Sequence, residues 1–549
     1  MTAPSEQGPK RPAEPWDWPL AALLSLAVFW AAHGHGFANP YAVNDDLRQQ
    51  VYWMQRFQDP GLYPPDLLGD YARAYVTLGV EAVYRIASFF VDPLMASKRL
   101  TGGLFVLEAL YLFALGLRLG GRATAWAAAA MTWLMPFFLD NISGALARGY
   151  ASPLLALFVL ATLHGRRQFA ALTLLGLFIP YICLPCAAGL FAQRAAWSLR
   201  HKRLDESFAS WRGWLGWAVP AGLTLANALK PQGGGFGPLV WLSETAGRPE
   251  FGPQGRLDLA PLPNPFLDFV YFPFEGVGLF KELGLAAGIV TLALLAPALW
   301  FGARAADWRL LGRALKPLAW TGGAFLVFYA AARLLAFKLF VPDRYVQYPL
   351  NLLYALLLAW CLAGAVSRRG LSRTACAGLV LAACLGGGVR LKGVALYDYS
   401  AQAPLYAAIE AATPKSALLA GLPDLMDNVM TFSRRNALVT FELAHPWSRG
   451  YWERFRPRLE AVLKAYYAQD PADVRALARD WGVDFLVVNE AHFTPEFLSG
   501  RPVFEPFGAI VRESVRGRTA FALLNPALFP RIPLAPGAFL VDVRPAGRG

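Results

Sequence analysis

Apolar segments close to the length of a membrane-spanning helix recur through the first 391 residues of the chain. A helix needs about 20 predominantly apolar residues to cross a bilayer. A first run from Trp18 to Trp30 is followed by ten more before the chain becomes more polar. This pattern predicts a polytopic α-helical membrane protein with about eleven transmembrane helices. The later runs cover approximately residues 95–117, 121–139, 149–164, 167–180, 184–198, 212–229, 283–303, 317–340, 345–366 and 372–391.

Lys and Arg residues are concentrated in short connections between these runs, and such connections are typically cytoplasmic. An eleven-span arrangement places all of these basic connections on one side of the membrane. It requires the ambiguous stretch 167–198, which Pro180 and Pro185 split, to be a hairpin with both ends in the cytoplasm. The basic residues are Arg118, Arg122, Arg166, Arg167, Arg194, Arg200, Lys202, Arg203, Arg304, Arg309, Arg313, Lys316, Arg368, Arg369 and Arg373.

The same arrangement divides the rest of the chain. Residues 1–16 are predicted to be a disordered cytoplasmic tail, and residues 17–391 a transmembrane domain. Two long loops, 38–94 and 230–282, are predicted to lie outside. The second loop is rich in Gly and Pro without a periodic pattern, and long loops of this kind are often functional.

The first outer loop contains two helical patterns, at about 44–58 and 72–90. Both combine apolar and aromatic positions with a few charges. We therefore expect both helices to lie along the membrane surface without crossing it.

Residues 392–549 have a different pattern, with more charges and shorter apolar runs. Residues 416–421 and 437–441 are typical of strands, 473–480 of a helix, and 484–489 of a buried strand. Alternation of helices and strands predicts an extracytoplasmic C-terminal α/β domain. No glycine-rich phosphate-binding fingerprint indicates a nucleotide site in it.

Composition excludes an ordinary soluble protein, since 56% of the 549 residues are hydrophobic and 16% are charged. The net charge of +13 comes with no nucleic-acid-binding motif, and membrane orientation accounts for it. The five cysteines all lie in apolar segments. Cys183 and Cys186 have redox spacing, but in a proline-broken membrane segment we interpret them as small hydrophobic residues.

The chemistry of the chain is concentrated in residues 43–54, just after the first apolar run. Asp45 and Asp46 precede a short helical pattern in which Leu47, Val51 and Met54 share one face. An acidic pair at a membrane surface can accept a proton, orient a hydroxyl group or hold a divalent metal. The alternative is a solvated loop with an Asp helix cap.

This order of elements resembles the GT-C superfamily of polyprenyl-phosphate-sugar-dependent glycosyltransferases, which includes protein O-mannosyltransferases and aminoarabinose transferases. In that superfamily the first outer loop carries an acidic pair, often followed two positions later by Arg. Asp45, Asp46 and Arg48 match this pattern. Arg344 and Tyr345, at the outer junction of two late runs, resemble the Arg-Tyr or His-Tyr element near the donor site.

The resemblance implies a catalytic role for both acids. Asp45, the first acid, is expected to deprotonate the acceptor, and Asp46 is expected to support it, because two close carboxylates raise one pKa. Cations are expected to bind the donor phosphate. For two of them, Arg333 and Lys338, contact with lipid head groups is an equal alternative. The donor-phosphate candidates are Arg48, Arg344, Lys338, Arg333 and Tyr345.

Further polar residues lie near the ends or middle of apolar runs. Glu108 is mid-span and is either functional or paired within the bundle. Asp140 and Arg148 can face the same cavity as the acidic pair, or form a polar turn. His33 and His35 lack a third ligand at a telling spacing, so no metal is predicted there. A divalent metal at the acidic pair stays open.

The resemblance implies a bacterial inner-membrane enzyme acting on a polyprenyl-phosphate-linked sugar, with membrane lipid and a glycan, lipid or protein acceptor as partners. Two other hypotheses remain at this point. A transporter or flippase of lipid-linked saccharides often shows an internal repeat between halves, and none is evident here. A non-catalytic scaffold does not require Asp45 and Arg344 to meet in one cavity.

The charge pattern generates a topological prediction. The amino terminus should be cytoplasmic and residues 392–549 extracytoplasmic, because only then do all basic connections face inward. A reporter fused after Gly549 should therefore behave as extracytoplasmic. A cytoplasmic signal would contradict the eleven-span arrangement, and the hairpin at 167–198 would be the first element to revise.

Overall fold

The computed structural model describes residues 12–259, 262–278, 284–500, 502–518 and 520–544. Up to residue 390 these residues are mainly helical, as expected where the lipid cannot satisfy backbone hydrogen bonds. The helices are α1 (Asp17–Ala38), α2 (Leu47–Gln50), α3 (Leu67–Tyr75), α4 (Leu78–Ala87), α5 (Pro93–Gly120), α6 (Arg122–Leu134), α7 (Pro136–Ile142), α8 (Ala151–His164), α9 (Gln168–Phe178), α10 (Pro180–His201), α11 (Glu206–Ala209), α12 (Trp211–Gly233), α13 (Phe272–Val277), α14 (Gly284–Ala305), α15 (Trp308–Leu315), α16 (Ala319–Leu334), α17 (Arg344–Arg369) and α18 (Arg373–Arg390).

In the described part of the chain, α1, α5, α14 and α17 are long and apolar enough to cross a membrane. The other predicted runs coincide with helices that are shorter or carry more polar residues. Helices α9 and α16, for example, have 11 and 16 residues. The fold is therefore that of a helical membrane protein, and the number of spans stays a prediction.

The stretch 167–198 is broken where the sequence predicts, since α9 ends at Phe178 and α10 begins at Pro180. The Cys183 thiol lies 3.4 Å from the carbonyl oxygen of Leu172. In a continuous helix these residues would be about 16 Å apart. The chain therefore folds back here, as the predicted hairpin requires.

The first outer loop has four short helical segments where the sequence predicts two longer helices. Helix α2 continues into a 3-10 helix, Tyr52–Phe57, and α3 and α4 follow. Pro60, Pro64 and Pro65 lie between these two parts of the loop and interrupt regular hydrogen bonding. The predicted apolar face of residues 47–54 is correct, since Leu47, Val51 and Met54 are all fully buried.

The second outer loop contains only short regular pieces among its described residues. Leu242–Glu244 and Pro249–Phe251 are single 3-10 turns. A π-helical turn, Leu267–Tyr271, leads into α13. The loop thus has the irregular backbone that its Gly- and Pro-rich sequence predicts.

The segment after residue 396 carries a five-stranded mixed sheet with the strand order β4-β3-β5-β7-β6. Strand β3 is parallel to β4 and β5, whereas β7 is antiparallel to β5 and β6. The elements are β1 (Ala42–Val43), β2 (Tyr397–Asp398), β3 (Leu418–Ala420), β4 (Asn436–Ala437), β5 (Phe485–Asn489), β6 (Arg531–Ala535), β7 (Ala538–Asp542), α19 (Ala403–Ala412), α20 (Pro423–Phe432), α21 (Arg449–Tyr466), α22 (Pro471–Trp481), α23 (Pro495–Ser499) and α24 (Phe507–Val515).

Several local predictions for this segment are confirmed. The strand expected at 484–489 is β5, and four of its five residues are buried. The helix expected at 473–480 is α22. It ends before Gly482, and this glycine has a left-handed backbone conformation with φ 70°. The strand expected at 437–441 is shorter than predicted, because regular pairing stops at Ala437.

The C-terminal segment packs directly against both outer loops. Strand β2 pairs antiparallel with β1, which follows the first helix. The Tyr451 ring stacks on the Tyr71 ring with centroids 3.6 Å apart. The backbone N–H of Val240 donates to the carbonyl oxygen of Trp447 at 2.9 Å. These contacts place the segment over residues 42–71 and the second loop.

Helices α14 and α17 cross closely at a glycine, which generates a stability prediction. A Cβ atom at Gly302 would overlap the backbone of Cys361, and small residues allow such close approach between membrane helices. Gly302→Ala should therefore lower the free energy of unfolding by about 1–3 kcal/mol, measured by denaturation in detergent. Gly323→Ala is the control, since no described heavy atom lies within 4 Å of its added Cβ. Equal stability of the two variants would contradict the close crossing.

Candidate active site

Asp45 and Asp46 lie between β1 and α2, shortly after the C-terminal end of α1. Asp46 occupies the position before α2, but its side chain makes no capping hydrogen bond to the helix. The side chains of Asp45 and Asp46 remain 38% and 24% exposed. Because the apolar face of α2 is buried, the two acids are directed toward other charged groups.

Asp45 has partners from its own helix and from the C-terminal segment. Its Oδ1 forms an ion pair with the Arg48 guanidinium, three residues along the chain. The same Oδ1 accepts a hydrogen bond of 2.8 Å from the Tyr399 hydroxyl. Arg48 also lies over the Tyr399 ring, 4.4 Å from its centroid, and donates to Asn428 at 2.9 Å. Both hydrogen bonds to Asp45 from described residues end on Oδ1, so Oδ2 is the free acceptor.

Asp46 uses both oxygens. Its Oδ2 pairs with the Arg148 guanidinium at 2.8 Å, and its Oδ1 accepts from the Gln49 amide at 2.7 Å. Arg148 also reaches the Asn44 side-chain oxygen at 3.4 Å. Gly144, with φ 81°, lies beside Asn44, where an added Cβ would be only 3.0 Å from the Asn44 Cβ. A larger residue at this turn would displace the loop that carries the pair.

A third carboxylate, that of Glu442, lies behind the pair. Its Oε1 is 3.5 Å from Arg48, and its Oε2 is 3.3 Å from Arg256 of the second outer loop. The Asp427 carboxylate accepts hydrogen bonds from the Glu442 backbone N–H at 3.1 and 3.2 Å. Burial, followed by the charge of Asp45, raises the pKa of Glu442 to about 7.

The charges that act on Tyr75, at the end of α3, include those of Asp46 and Arg344. Burial and then the Asp46 carboxylate raise the pKa of the Tyr75 hydroxyl to about 12. Three guanidinium groups oppose this shift, those of Arg344, Arg148 and Arg256. The pKa of the Tyr75 hydroxyl is therefore influenced by Asp46 as well as by Arg344.

Arg344 begins α17 and has predominantly polar neighbours. Its guanidinium donates to Gln347 at 3.1 Å and to the Tyr348 hydroxyl at 3.4 Å. Its ion pair with Asp343 is long, at 3.7 Å. Tyr345 differs, because it is fully buried and its hydroxyl donates to the Leu339 carbonyl at 2.6 Å. Arg344 therefore presents a cation, whereas Tyr345 fixes the turn before α17.

Arg333 and Lys338 contact residues of the second outer loop. Arg333 donates to the Pro263 carbonyl at 2.8 Å and pairs with Asp268 at 3.3 Å. It lines a cleft of about 780 Å³ together with residues of the second outer loop, including Arg248. Lys338 lies over the Trp241 ring, 4.9 Å from its centroid. The described residues show no contact between either cation and the acidic pair.

Two other sequence candidates also lie apart from the pair. Glu108 is fully buried in α5 and accepts a hydrogen bond of 2.8 Å from the Ser152 hydroxyl. Asp140 is exposed near the end of α7. Its neighbour Asn141 accepts from the Tyr348 hydroxyl at 3.1 Å. Asn141, in α7, therefore contacts Tyr348, a partner of Arg344. Arg148, between α7 and α8, contacts the acidic pair through Asp46.

Sequence reasoning missed five members of the candidate site, each an isolated polar residue without a motif. They are Tyr75, Arg256, Tyr399, Asn428 and Glu442.

Among the described residues, no three His, Cys, Asp or Glu side chains are grouped to hold a metal ion. The His33 ring forms a hydrogen bond of 2.8 Å with the Val394 carbonyl, and the cysteines are free thiols.

The arrangement has the parts needed to remove a proton next to an anion. Asp45 offers a carboxylate oxygen at a partly exposed position. Arg344 offers a guanidinium with one long ion pair, and guanidinium groups bind phosphate oxygens through two parallel hydrogen bonds. A carboxylate and a guanidinium of this kind suit a reaction in which a hydroxyl loses a proton while a phosphate leaves.

No protein-family profile and no curated protein sequence matches the chain. Two solved structures of ArnT from Cupriavidus metallidurans do resemble it. The apo structure has 12% sequence identity and a TM-score of 0.52, over 96% of this chain and 98% of the other. The structure bound to undecaprenyl phosphate has 13% identity and a TM-score of 0.52, over 98% and 100%.

At this level of identity the similarity concerns the fold, and it extends over nearly the whole length of both chains. It agrees with the resemblance that the acidic pair and the Arg-Tyr element indicate. The chain has the fold of these ArnT structures.

Proposed function

We propose that this protein is an integral membrane glycosyltransferase that moves a sugar from a polyprenyl-phosphate donor to an extracytoplasmic acceptor. The observation that carries the proposal is that the segment 141–148 contacts both the acidic pair and a partner of Arg344, within a chain of ArnT-like fold. Arg148 pairs with Asp46, and Asn141 accepts a hydrogen bond from Tyr348, which is itself a partner of Arg344. That ArnT structure holds undecaprenyl phosphate, and this suggests the donor class here. The acceptor is a glycan, lipid or protein with a free hydroxyl or similar nucleophile.

Asp45 is the general base in this proposal, and Asp46 supports it. Asp45 has Oδ2 free, and its side chain is the more exposed of the two. Both oxygens of Asp46 are occupied by Gln49 and Arg148. Asp46 therefore orients Arg148 and Gln49, whereas Asp45 can receive the acceptor proton.

The proposed step is a single displacement. The acceptor oxygen bonds to the anomeric carbon of the sugar while its proton passes to Oδ2 of Asp45. The bond between that carbon and the phosphate oxygen breaks, and the polyprenyl phosphate leaves with the electron pair. Arg344 stabilises the negative charge on the leaving phosphate, since donors already in position need little rearrangement.

Arg48 has a different proposed role from the one that the motif implies. It is 8% exposed and is held by Asp45, Glu442 and Asn428. Its charge is therefore used mainly to compensate carboxylates. Arg333, Lys338 and the 780 Å³ cleft are apart from the pair, so we assign donor-phosphate binding principally to Arg344.

Replacement of the base tests the function. Asp45→Asn keeps the size of the side chain but cannot accept the proton, so sugar transfer should fall by about a hundredfold or more. Asp46→Asn should cost less, since that acid orients other groups. The measurement is transfer from a panel of synthetic polyprenyl-phosphate sugars to membrane extract, with each variant compared with wild type.

Protein yield and melting temperature in detergent serve as the folding control for both variants. If Asp46→Asn abolishes transfer while Asp45→Asn does not, the two roles are exchanged. If neither variant changes transfer from any active donor, the glycosyltransferase proposal is wrong.

Replacement of the cation tests donor binding. Arg344→Lys keeps the positive charge but loses the planar pair of donors, so KM for the donor should rise by about tenfold, with a smaller change in kcat. The affinity for undecaprenyl phosphate, measured by native mass spectrometry, should fall in parallel. Arg309→Lys, at an exposed position on α15, is the matched control. An unchanged affinity in Arg344→Lys would remove Arg344 from the donor site.

A further inference from the structure

Glu442 shares a hydrogen-bond donor with each acid of the pair. The Nη2 atom of Arg48 contacts Asp45 Oδ1 and lies 3.5 Å from Glu442 Oε1. The Nε2 atom of Gln49 lies 2.7 Å from Asp46 Oδ1 and 3.5 Å from Glu442 Oε2. Glu442 therefore competes with Asp45 for Arg48 and with Asp46 for Gln49.

The position of Glu442 is fixed by two neighbours. Asp427 holds its backbone N–H, and Arg256 pairs with its Oε2 at 3.3 Å. Arg256 also donates to the Phe441 carbonyl at 3.0 Å and lies over the Phe441 ring, 4.1 Å from its centroid. The residue itself is only 7% exposed. A carboxylate held this firmly can act on its neighbours by charge.

We propose that Glu442 is a positioning residue whose negative charge draws Arg48 and Gln49 away from the acidic pair and so keeps Asp45 basic enough to take the acceptor proton. The proposal rests on the proposed role of Asp45 as base. It assigns a function in the reaction to the C-terminal segment, which supplies Glu442, Tyr399 and Asn428 to the site.

The surroundings of Glu442 make this charge dependent on pH. Its pKa is raised to about 7, first by burial and then by the Asp45 carboxylate. Above that value the side chain is ionised and competes for the two donors. Below it the side chain is neutral, and Arg48 and Gln49 return fully to the pair. The charged groups that face Glu442 are Asp45, Asp46, Arg48, Arg256 and Asp427.

Sugar transfer should therefore fall as the pH is lowered from about 8 to about 6, above the range in which an ordinary aspartate titrates. Glu442→Gln is locked in the neutral state. Its rate at pH 8 should drop about tenfold, to the level that wild type shows near pH 6, and the step between these pH values should disappear. Glu442→Asp keeps a titrating charge and should keep the step. Glu453→Gln, at an exposed position of α21, should match wild type.

Infrared difference spectra of the full-length protein in detergent, recorded between pH 6 and pH 8 without substrate, give a readout independent of activity. Wild type should lose one protonated-carboxyl band on going to pH 8, Glu453→Gln should lose the same band, and Glu442→Gln should lack it. Melting temperatures identify any variant that fails to fold. If Glu442→Gln does not accumulate, loss of the pH step in Glu442→Asp overturns the proposal.

The proposal is also overturned if Glu442→Gln retains the wild-type pH profile, or loses the same fraction of activity at every pH, since a purely structural role would have the second effect. If neither Asp45→Asn nor Asp46→Asn changes transfer, the proposed function fails, and the infrared bands alone then decide whether Glu442 titrates. If Asp45→Asn abolishes transfer while Glu442→Gln behaves as wild type, only the role of Glu442 is lost.

Discussion

Mutual compensation of charge is the interaction on which the site depends. An ionised group at the edge of an apolar bundle costs several kcal/mol unless an opposite charge and hydrogen bonds accompany it. Here each carboxylate has a guanidinium within 3.5 Å, and each guanidinium comes with neighbours from a different part of the chain. The carboxylates are Asp45, Asp46 and Glu442, and the guanidiniums are Arg48, Arg148 and Arg256.

This arrangement explains why two adjacent acids differ. Asp46 has one neighbour on each oxygen, so its charge is used to hold Arg148 and Gln49. Asp45 has both neighbours on one oxygen and keeps the other. The two acids differ because Arg48 and Tyr399 both contact Oδ1 of Asp45, whereas Gln49 and Arg148 contact different oxygens of Asp46.

Much of the fold follows from local pattern. Each apolar run coincides with a helix in the first 390 residues, because length and composition suffice for a membrane helix. The boundaries differ, since α1 extends eight residues beyond its run, and the run 121–139 is divided into α6 and α7. Strand β5 and helix α22 were also predictable from periodicity and from Gly482. The segmentation of the first outer loop was not, since prolines and burial under the C-terminal segment override its helical pattern.

The site was predictable only where a motif exists. Asp45, Asp46, Arg48 and Arg344 occur in recognisable short patterns. Tyr399 and Glu442 do not, because each is a single polar residue whose meaning depends on a contact across 354 or 393 residues. No periodicity in the sequence encodes such a contact. The burial of a charged residue can be recognised only in the folded structure, where its partner is in place.

The pairing of β1 with β2 bears on how the protein is made. Strand β1, which follows α1, pairs with strand β2, which follows α18, so this ladder cannot close until nearly 400 residues have been synthesised. Asp45 meets Tyr399 at the same moment, and Glu442 arrives later still. During synthesis the loop that carries Asp45 and Asp46 is therefore without its C-terminal partners, and the candidate site is completed last. A chain that ended after α18 would keep the helices of the first 390 residues and lack Tyr399, Asn428 and Glu442.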